Sequence, residues 1–258
     1  NHRNLLYGYL DLQGNTKIRF AYSGAGEFSQ GLAPAENPST RKWGYLNKDG
    51  KWAIPAEFDL ASRFSESYAA VQKGDKWYFS DFQGKLLPIE GSYQEVFELR
   101  EGFSVVTIQR GDSLFYGAIR QSGKEVIPPQ YEFLDHFEQG TAVFQVKGRT
   151  GMLDTSGKVV VPALFDELYR YDQQYYVYQL NGLQGLINLE GKIVLPARYT
   201  KIGYFHEGLC PVYRSGKWGF ANTLGQEQIP CQYPEIRREF TSGTAEVRQS
   251  DKWWIAKG

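Results

Sequence analysis

One spacing recurs along this chain of 258 residues and limits its fold more than any other feature. A position that is usually glycine returns at intervals of 34 to 39 residues, at Gly8, Gly44, Tyr78, Gly117, Gly151, Gly185, Gly219 and Trp254. A second glycine follows each of the first seven positions by six residues, at Gly14, Gly50, Gly84, Gly123, Gly157, Gly191 and Gly225. This regularity indicates one supersecondary unit copied in tandem.

Further landmarks keep the same register. A proline usually follows the second glycine by five residues, at Pro55, Pro128, Pro162, Pro196 and Pro230, with Pro88 after four. An aromatic-x-x-Gly step comes next, as in Phe28/Gly31, Phe137/Gly140 and Phe205/Gly208. Two residues later the position is small: Ala33, Ala69, Ser104, Ala142, Cys210 and Ala245, with Tyr176 as the exception.

The segments between these landmarks are typical of β-strands. "AVFQV", "KWGYLN" and "KVVVP" are short, β-branched or aromatic, and partly alternating. Polar-Gly pairs such as Ser156-Gly157 supply the positive φ of tight turns. The proline is expected to end the third strand, since it cannot donate to a ladder. We predict an all-β fold with very little helix.

Each unit is therefore a meander of three or four antiparallel strands, and units of about 34 residues must stack to bury a core. A β-propeller-like array suits the small residues on the strand nearest the axis. An open superhelical array of stacked meanders is the alternative. We predict a single all-β repeat domain over 1–258, made of seven repeats and a terminal strand: 7–41, 42–75, 76–114, 115–148, 149–182, 183–216, 217–251 and 252–258.

This pattern resembles the bacterial WG, or KWG, repeat proteins. The best matches are Lys42-Trp43-Gly44-Tyr45-Leu46 and Lys217-Trp218-Gly219-Phe220. The unit at 150–183 departs most, with Thr150-Gly151 and a tyrosine-rich second half. The resemblance covers nearly the whole chain and implies the repeat fold, but little about function.

Composition excludes several classes. Lys+Arg and Asp+Glu are both 29, so the chain lacks the basic charge that nucleic-acid binding requires. No stretch is long and apolar enough to be a transmembrane segment.

We expect a monomer. The first residue is Asn1, and removal of a signal peptide or a chosen boundary would both explain it; an extracytoplasmic location is the expectation we adopt.

The tryptophans that precede the recurring glycine have two readings. Trp43, Trp77, Trp218 and Trp253 are candidates for stacking platforms that bind sugars or bases. Their fixed phase favours a structural role instead, as wedges between sheets beside a glycine that makes room for backbone. We assign the same structural role to Gly44, Gly219 and the turn glycines.

Residues that break the repeat are better candidates for a ligand surface. The stretch 168–180 contains five tyrosines that are suited to a peptide or glycan: Tyr169, Tyr171, Tyr175, Tyr176 and Tyr178. Larger side chains that repack the unit are the competing explanation. Arg110-Gly111-Asp112 spells an adhesion tripeptide on a hairpin four residues longer than its siblings, so Arg110 and Asp112 are a second candidate.

No catalytic or cofactor motif stands out. His2, His136 and His206 lack metal-ligand spacing, and Cys210 and Cys231 occupy small-residue positions, with a disulfide left open. Glu66, Glu101 and Glu207 recur before the Gly step and are interpreted as solvated turn residues.

We predict no enzyme activity, metal or cofactor, and a non-catalytic binding or scaffold module with a protein or glycan ligand. The alternatives are a carbohydrate-active hydrolase and a purely structural spacer.

Overall fold

The computed structural model describes residues 5–249 and the backbone of residues 252–257. The described part of the chain contains 29 strands and no helix. The contacts divide the chain into two compact units. The first runs to Ala142 and includes Thr155–Gly157, and the second comprises Val143–Asp154 and the chain from Lys158 onward.

The first unit begins with a two-stranded sheet and continues with four-stranded antiparallel meanders in sequential order. The opening pair is β1 (Tyr7–Leu10) and β2 (Thr16–Tyr22). The three meanders that follow are β3 (Gly24–Ala25), β4 (Leu32–Glu36), β5 (Trp43–Asn47) and β6 (Trp52–Phe58); β7 (Leu60–Ala61), β8 (Ala69–Lys73), β9 (Lys76–Ser80) and β10 (Leu86–Pro88); and β11 (Glu95–Val96), β12 (Phe103–Arg110), β13 (Ser113–Arg120) and β14 (Glu125–Tyr131). β15 (Phe133–Leu134) also belongs to this unit, and β16 (Thr141–Val146) contains the division.

The second unit repeats the same construction. β17 (Arg149–Asp154) pairs antiparallel with β18 (Val159–Phe165). Two complete meanders follow: β19 (Glu167–Arg170), β20 (Tyr175–Leu180), β21 (Leu183–Asn188) and β22 (Ile193–Tyr199); and β23 (Lys201–Ile202), β24 (Leu209–Arg214), β25 (Lys217–Asn222) and β26 (Glu227–Tyr233). The last sheet has three strands: β27 (Glu235–Thr241), β28 (Thr244–Gln249) and β29 (Lys252–Lys257).

The sheets are offset by about half a period from the repeats as divided in the sequence. The sheet β3–β6, for example, spans residues 24–58, whereas the sequence repeats are 7–41 and 42–75. The first two strands of this sheet come from one repeat and the last two from the next. Neighbouring repeats are therefore joined by a shared sheet and not only by packing.

The glycine after tryptophan and the proline that follows form a single structural device. The pairs Trp43↔Phe58 and Tyr45↔Ile54 show that two extra residues of β6 bulge opposite Gly44. A Cβ on Gly44 would lie 2.6 Å from the Ile54 carbonyl oxygen, so only glycine fits. The prediction that the proline ends the strand is wrong, because Pro55 lies inside β6 at this bulge. The glycine also makes room within its own sheet rather than for the next one.

The turn glycines have the predicted positive φ, from 75° at Gly50 to 84° at Gly14. All but Gly14 also lie against the preceding sheet. A Cβ on Gly84 would approach the Ile54 side chain to 3.2 Å, and one on Gly225 would meet the Val194 carbonyl oxygen at 1.9 Å. These turns therefore need glycine both for the backbone conformation and for the close approach, whereas the Gly14 turn needs it for the conformation alone.

The core lies between successive sheets. Tyr45 and Phe58 of one sheet pack in one cluster with Phe64 and Val71, which belong to the next sheet and the segment leading into it. The buried Tyr45 hydroxyl donates to the carbonyl oxygen of Ser62 at 2.8 Å, so the aromatic core residue also satisfies its polar atom across the interface. Face-to-face stacking of antiparallel meanders is how propeller blades pack. The predicted all-β fold of tandem antiparallel meanders is confirmed.

Candidate functional site

The recurring glutamates are exposed turn residues, as interpreted from the sequence, and they are also structural clamps, which the sequence did not indicate. The carboxylate of Glu66 accepts hydrogen bonds from the N–H groups of Glu101 and Gly102, at 2.6 and 2.7 Å. Glu101 makes the same pair of bonds to Gln139 and Gly140. In the second unit, Glu207 binds the N–H groups of Ser242 and Gly243, both at 2.8 Å. Each carboxylate therefore holds the turn of the next sheet.

The tyrosine-rich strand β20 is mostly interior. Tyr176 and Tyr178 are buried. The Tyr178 hydroxyl accepts a hydrogen bond from the Ala197 N–H at 2.9 Å, and its ring lies 4.4 Å from that of Phe165. The guanidinium of Arg170 lies 4.6 Å from the centre of the Tyr176 ring. These two residues repack the unit with larger side chains.

The other three tyrosines lie beside a residue that the sequence interpretation did not select, Tyr204. Tyr204 is 63% exposed, and its ring stacks on that of Tyr171 with centroids 5.0 Å apart. Tyr171 is buried and donates a hydrogen bond from its hydroxyl to the Gly203 carbonyl oxygen. Tyr175 is half-buried, with its ring 5.5 Å from that of Phe205. We call Tyr169, Tyr171, Tyr175 and Tyr204 the tyrosine surface.

Tyr169 is the second exposed member of the tyrosine surface, at 44%. Its hydroxyl accepts a hydrogen bond from the Gln184 side-chain amide at 3.2 Å, and the carbonyl end of that amide accepts from the Ile202 N–H at 3.1 Å. Burial raises the pKa of Tyr169 and of Tyr171, with nearby Glu167 adding to the effect at Tyr169 and Cys210 at Tyr171. Both phenols are therefore neutral and able to donate at neutral pH.

A signal in the sequence would have found Tyr204. It occupies the position directly before the aromatic of the aromatic-x-x-Gly step, where the other repeats place Glu27, Arg63, Glu98 and His136. In the first unit this position forms ion pairs between sheets, since Arg63 bonds to Glu98 at 2.7 Å and lies 3.7 Å from Glu27. An aromatic ring at a charged position breaks the repeat.

The adhesion tripeptide lies at an exposed hairpin tip between β12 and β13. Arg110 and Asp112 are exposed, and the Arg110 guanidinium lies 5.4 Å from the centre of the Phe115 ring. The Gln109 side chain donates to the Gly111 carbonyl oxygen at 2.7 Å, which orders the tip. This hairpin belongs to the first unit and the tyrosine surface to the second, so each is treated as a separate surface.

The tryptophans lie where the fixed phase of the repeat predicts, but their contacts differ. Trp77 is buried and donates from its indole N–H to the Tyr93 carbonyl oxygen at 3.1 Å. Trp43 is half-buried over Gly24 of its own sheet, and Trp218 lies 4.8 Å from the Tyr213 ring. The side chain of Trp253 lies outside the described residues, as does His2.

The cysteines are both free, Cys210 buried and Cys231 half-buried. Burial raises the pKa of Cys210 to about 12 and raises that of Cys231 as well.

His206 bonds to Glu239 at 2.9 Å. Burial, and then nearby Arg100, lowers the pKa of His136. Within the described residues, no group of three or more His, Cys, Asp or Glu side chains is arranged to hold a metal ion. No helix that would span a membrane occurs in the part of the chain that the structure describes.

Comparison with solved structures gives matches over nearly the full length at low identity. Apo AztD from Citrobacter koseri is 12% identical, with a TM-score of 0.39 over 96% of this chain and 87% of that one. Hsv2 from Kluyveromyces lactis is 10% identical, with a TM-score of 0.38 over 90% and 96%. PorZ, a surface component of the type-IX secretion system of Porphyromonas gingivalis, is 12% identical, with a TM-score of 0.32 over 95% and 40%. No curated protein matches the chain.

The family comparison agrees with the repeat register derived above. The family model described as "WG containing repeat" matches six segments: residues 7–37, 43–77, 116–149, 151–183, 185–218 and 218–253. These segments cover well over half of the chain, leave residues 78–115 unmatched, and carry the recurring glycine strands, the bulges and the turn glycines of the other repeats. The chain belongs to the WG-repeat family.

Proposed function

We propose that this chain is a non-catalytic binding or scaffold module and that the tyrosine surface holds a protein segment. The observation that carries the proposal is the stacked pair of Tyr204 and Tyr171. Tyr204 exposes 63% of its area although its inner face already rests on a fixed ring. An aromatic side chain held in this way offers apolar area and a hydroxyl to a ligand.

Preorganisation supports a binding role. Tyr171 is fixed by its bond to Gly203, and Tyr169 is fixed by the Gln184 amide. Because these rings are already ordered, binding of a ligand to them costs little side-chain conformational entropy. Tyrosines in such positions contribute about 2 kcal/mol or more to many protein interfaces.

The roles of the acidic residues also favour binding over hydrolysis. Glycoside hydrolysis needs two carboxyl groups that face one substrate pocket. The recurring acids Glu66, Glu101 and Glu207 are instead occupied by backbone N–H groups of neighbouring turns. They hold sheets together and do not face a substrate.

Photo-crosslinking tests the proposal directly. p-Benzoylphenylalanine placed at Tyr204 in the full chain is expected to give discrete conjugates in cells of the source organism. The matched control places the same residue at Leu224, which is 78% exposed in the same unit. Tyr169→Ala is expected to reduce the yield from position 204 about tenfold, as loss of one interface tyrosine would. Equal conjugates from both positions, or none from position 204, would contradict the proposal.

A glycan is the second candidate, because the outer face of the stacked Tyr204 ring is open for a sugar to lie on. Binding of the purified chain to a glycan array, lost in the Tyr169→Ala/Tyr204→Ala double variant, would assign the ligand to this class. If Tyr169→Ala leaves the crosslinking yield from position 204 unchanged and the double variant behaves as wild type on the glycan array, the spacer role is favoured instead. Turnover of glycoside substrates that survives the double variant would favour a hydrolase.

A further inference from the structure

A second feature lies in the first unit and is independent of the tyrosine surface. A cavity of about 170 Å³ opens between the sheet β11–β14 and the segment that begins the next sheet. Its walls are mainly aromatic and aliphatic, from Phe97, Val105, Tyr116, Phe133, Leu134, Asp135 and His136. We call it the aromatic cavity.

The cavity arises where the repeat is broken twice. Tyr116 stands at the position that holds Trp43, Trp77 and Trp218 in other repeats, so a smaller ring faces the gap. Phe97 stands where other repeats have Ser62 or Gly203, and its ring forms one wall. The Phe97 and His136 rings meet edge to face at 6.2 Å, and Tyr116 and Phe133 lie 5.8 Å apart.

Two buried polar atoms beside the cavity lack a partner within the described chain. His136 lines the cavity, and its Nδ1 atom is buried without a hydrogen bond. Thr107 is fully buried, and its hydroxyl oxygen is also unbonded. Thr107 lies on the same face of β12 as the cavity residue Val105 and opposite Tyr116 on β13. Buried polar groups are nearly always hydrogen-bonded, so unpaired ones next to a cavity indicate a missing partner.

The protonation state of His136 limits the kind of ligand that the cavity can bind. Burial, reinforced by Arg100 and opposed by Asp135 and Glu98, lowers the pKa of this imidazole. It is therefore neutral at neutral pH, and one of its ring nitrogens is then an acceptor. The backbone N–H of His136 is bonded to the Asp135 carboxylate at 2.8 Å, and the imidazole packs edge to face against Phe97 at the wall.

We propose that the aromatic cavity binds a phenol ring, such as the side chain of a tyrosine presented by a partner. The volume suits a single ring, since an apolar cavity of about 150 Å³ holds benzene. Three aromatic side chains in the walls favour edge-to-face and offset packing with that ring. The hydroxyl of the phenol donates to the His136 imidazole, and the buried Thr107 hydroxyl lies behind the lining residues Val105 and Tyr116.

Calorimetry with p-cresol tests the proposal on the full chain. Saturable binding is expected, and toluene, which lacks the hydroxyl, is expected to bind at least about tenfold more weakly because it leaves the polar atoms unpaired. An N-acetyl, C-amidated Gly-Tyr-Gly peptide separates the two sources of the ring. Tighter binding of the peptide than of p-cresol assigns the ring to a protein partner, and the reverse order assigns it to a free phenol.

Three variants check the site. Tyr116→Trp restores the tryptophan of the repeat, fills the cavity and is expected to abolish p-cresol binding. His136→Phe removes the acceptor with little change in volume and is expected to bring the affinity for p-cresol down towards that for toluene. His206→Phe, which makes the same change at a half-exposed histidine in the second unit, is the control and is expected to bind as wild type.

The proposal is overturned if p-cresol shows no saturable binding, if toluene binds equally well, or if folded Tyr116→Trp retains full affinity. Thermal melting of each variant establishes that it folds. Should Tyr116→Trp not fold, His136→Phe decides, and wild-type affinity for p-cresol in that variant would overturn the proposal. None of these outcomes depends on the tyrosine surface of the second unit.

Discussion

Glu66 clamps Glu101 across two sheets: the carboxylate of the first binds the backbone N–H of the second at 2.6 Å and of its neighbour Gly102 at 2.7 Å. The two residues are 35 positions apart and occupy equivalent places in successive repeats. Glu101 is itself the clamp of the next turn. Glu101 is therefore held by one sheet through its backbone N–H and holds the next turn through its side chain.

Removing this clamp is expected to destabilise the first unit. Glu66→Ala should lower the free energy of unfolding by about 1–2 kcal/mol, since two charge-assisted bonds at an exposed site are lost. Glu66→Gln should cost about half as much, because an amide oxygen accepts only some of these bonds, as Gln30 does towards the Ser67 N–H at 3.1 Å. Urea unfolding measures both changes.

The control for the clamp is Glu190→Ala. Glu190 is exposed and precedes a turn glycine, Gly191, in the other type of turn. Its substitution is expected to change the free energy of unfolding by less than about 0.5 kcal/mol. Equal effects at Glu66 and Glu190 would show that the clamp contributes nothing beyond an ordinary surface charge.

A second carboxylate, Asp59, predicts how stability depends on pH. Its oxygens accept hydrogen bonds from Lys42 and from the Gly74 N–H, the latter at 2.9 Å, and Lys42 and then Gly74 lower the pKa of Asp59 below its ordinary 3.8. A lowered pKa means that the stabilisation is present above pH 3.8 and is lost as the pH falls through the folded value. Asp59→Asn should therefore be less stable than wild type near neutrality, and the difference should shrink in acid.

Denaturant unfolding at pH 7 and at successively lower pH tests this. Asp49→Asn, at an exposed turn of the same unit, serves as the matched control and should show no such narrowing. A difference between wild type and Asp59→Asn that stays constant from pH 7 to acid would mean that the ion pair does not stabilise the fold.

The bulge device predicts a large effect at Gly219. A Cβ there would lie 2.5 Å from the Ile229 carbonyl oxygen and 2.6 Å from the Cys231 amide nitrogen, and backbone cannot move aside cheaply. Gly219→Ala is expected to cost more than about 3 kcal/mol, or to prevent folding of the second unit. Circular dichroism and thermal melting report the loss.

Gly216 provides the comparison for Gly219. It has a φ of 78°, and a Cβ there would have no neighbouring atom within 4 Å, so only the backbone conformation limits substitution. Gly216→Asn should be nearly neutral, because asparagine tolerates the left-handed region, as Asn181 does at φ 53°. If Gly219→Ala melts like Gly216→Asn, the close approach of the bulged strand is not what requires glycine.

The cysteines predict a labelling pattern. Burial raises the pKa of Cys210 to about 12, so its thiolate is scarce at neutral pH. Cys231 is half-buried with a less extreme shift and should react first with a thiol reagent such as DTNB. Cys210 should react only on unfolding, which Cys231→Ser isolates. Rapid labelling of native Cys231→Ser would contradict the burial of Cys210.

Much of the fold was predictable because backbone requirements recur at fixed spacing. The positive φ at Gly50 and the strand at Trp43 follow from local rules that every copy repeats. The position of Pro55 inside a bulge was not predictable, because a proline at a strand end and a proline inside a bulge have the same local sequence pattern. Only the missing Cβ of Gly44, seen against the Ile54 carbonyl oxygen, distinguishes them.

The candidate sites were harder to predict because they depend on contacts between repeats. Five tyrosines in 168–180 suggest a surface, yet Tyr176 and Tyr178 are buried, and the most exposed ring, Tyr204, belongs to the next repeat. The clamp role of Glu66 was missed for the same reason, as its partner lies 35 residues away. Alternation within one strand says nothing about a neighbour in another sheet.

The half-period offset between repeats and sheets has a consequence for how such a chain changes in length. Each sheet contains strands from two successive repeats. Removal of one period of about 34 residues therefore deletes as many strands as one sheet contains and joins strands at equivalent positions, wherever the deletion begins. Duplication works in the same way. Genetic breakpoints need not coincide with structural boundaries, so an array of this kind can grow or shrink by whole sheets without a new junction having to evolve.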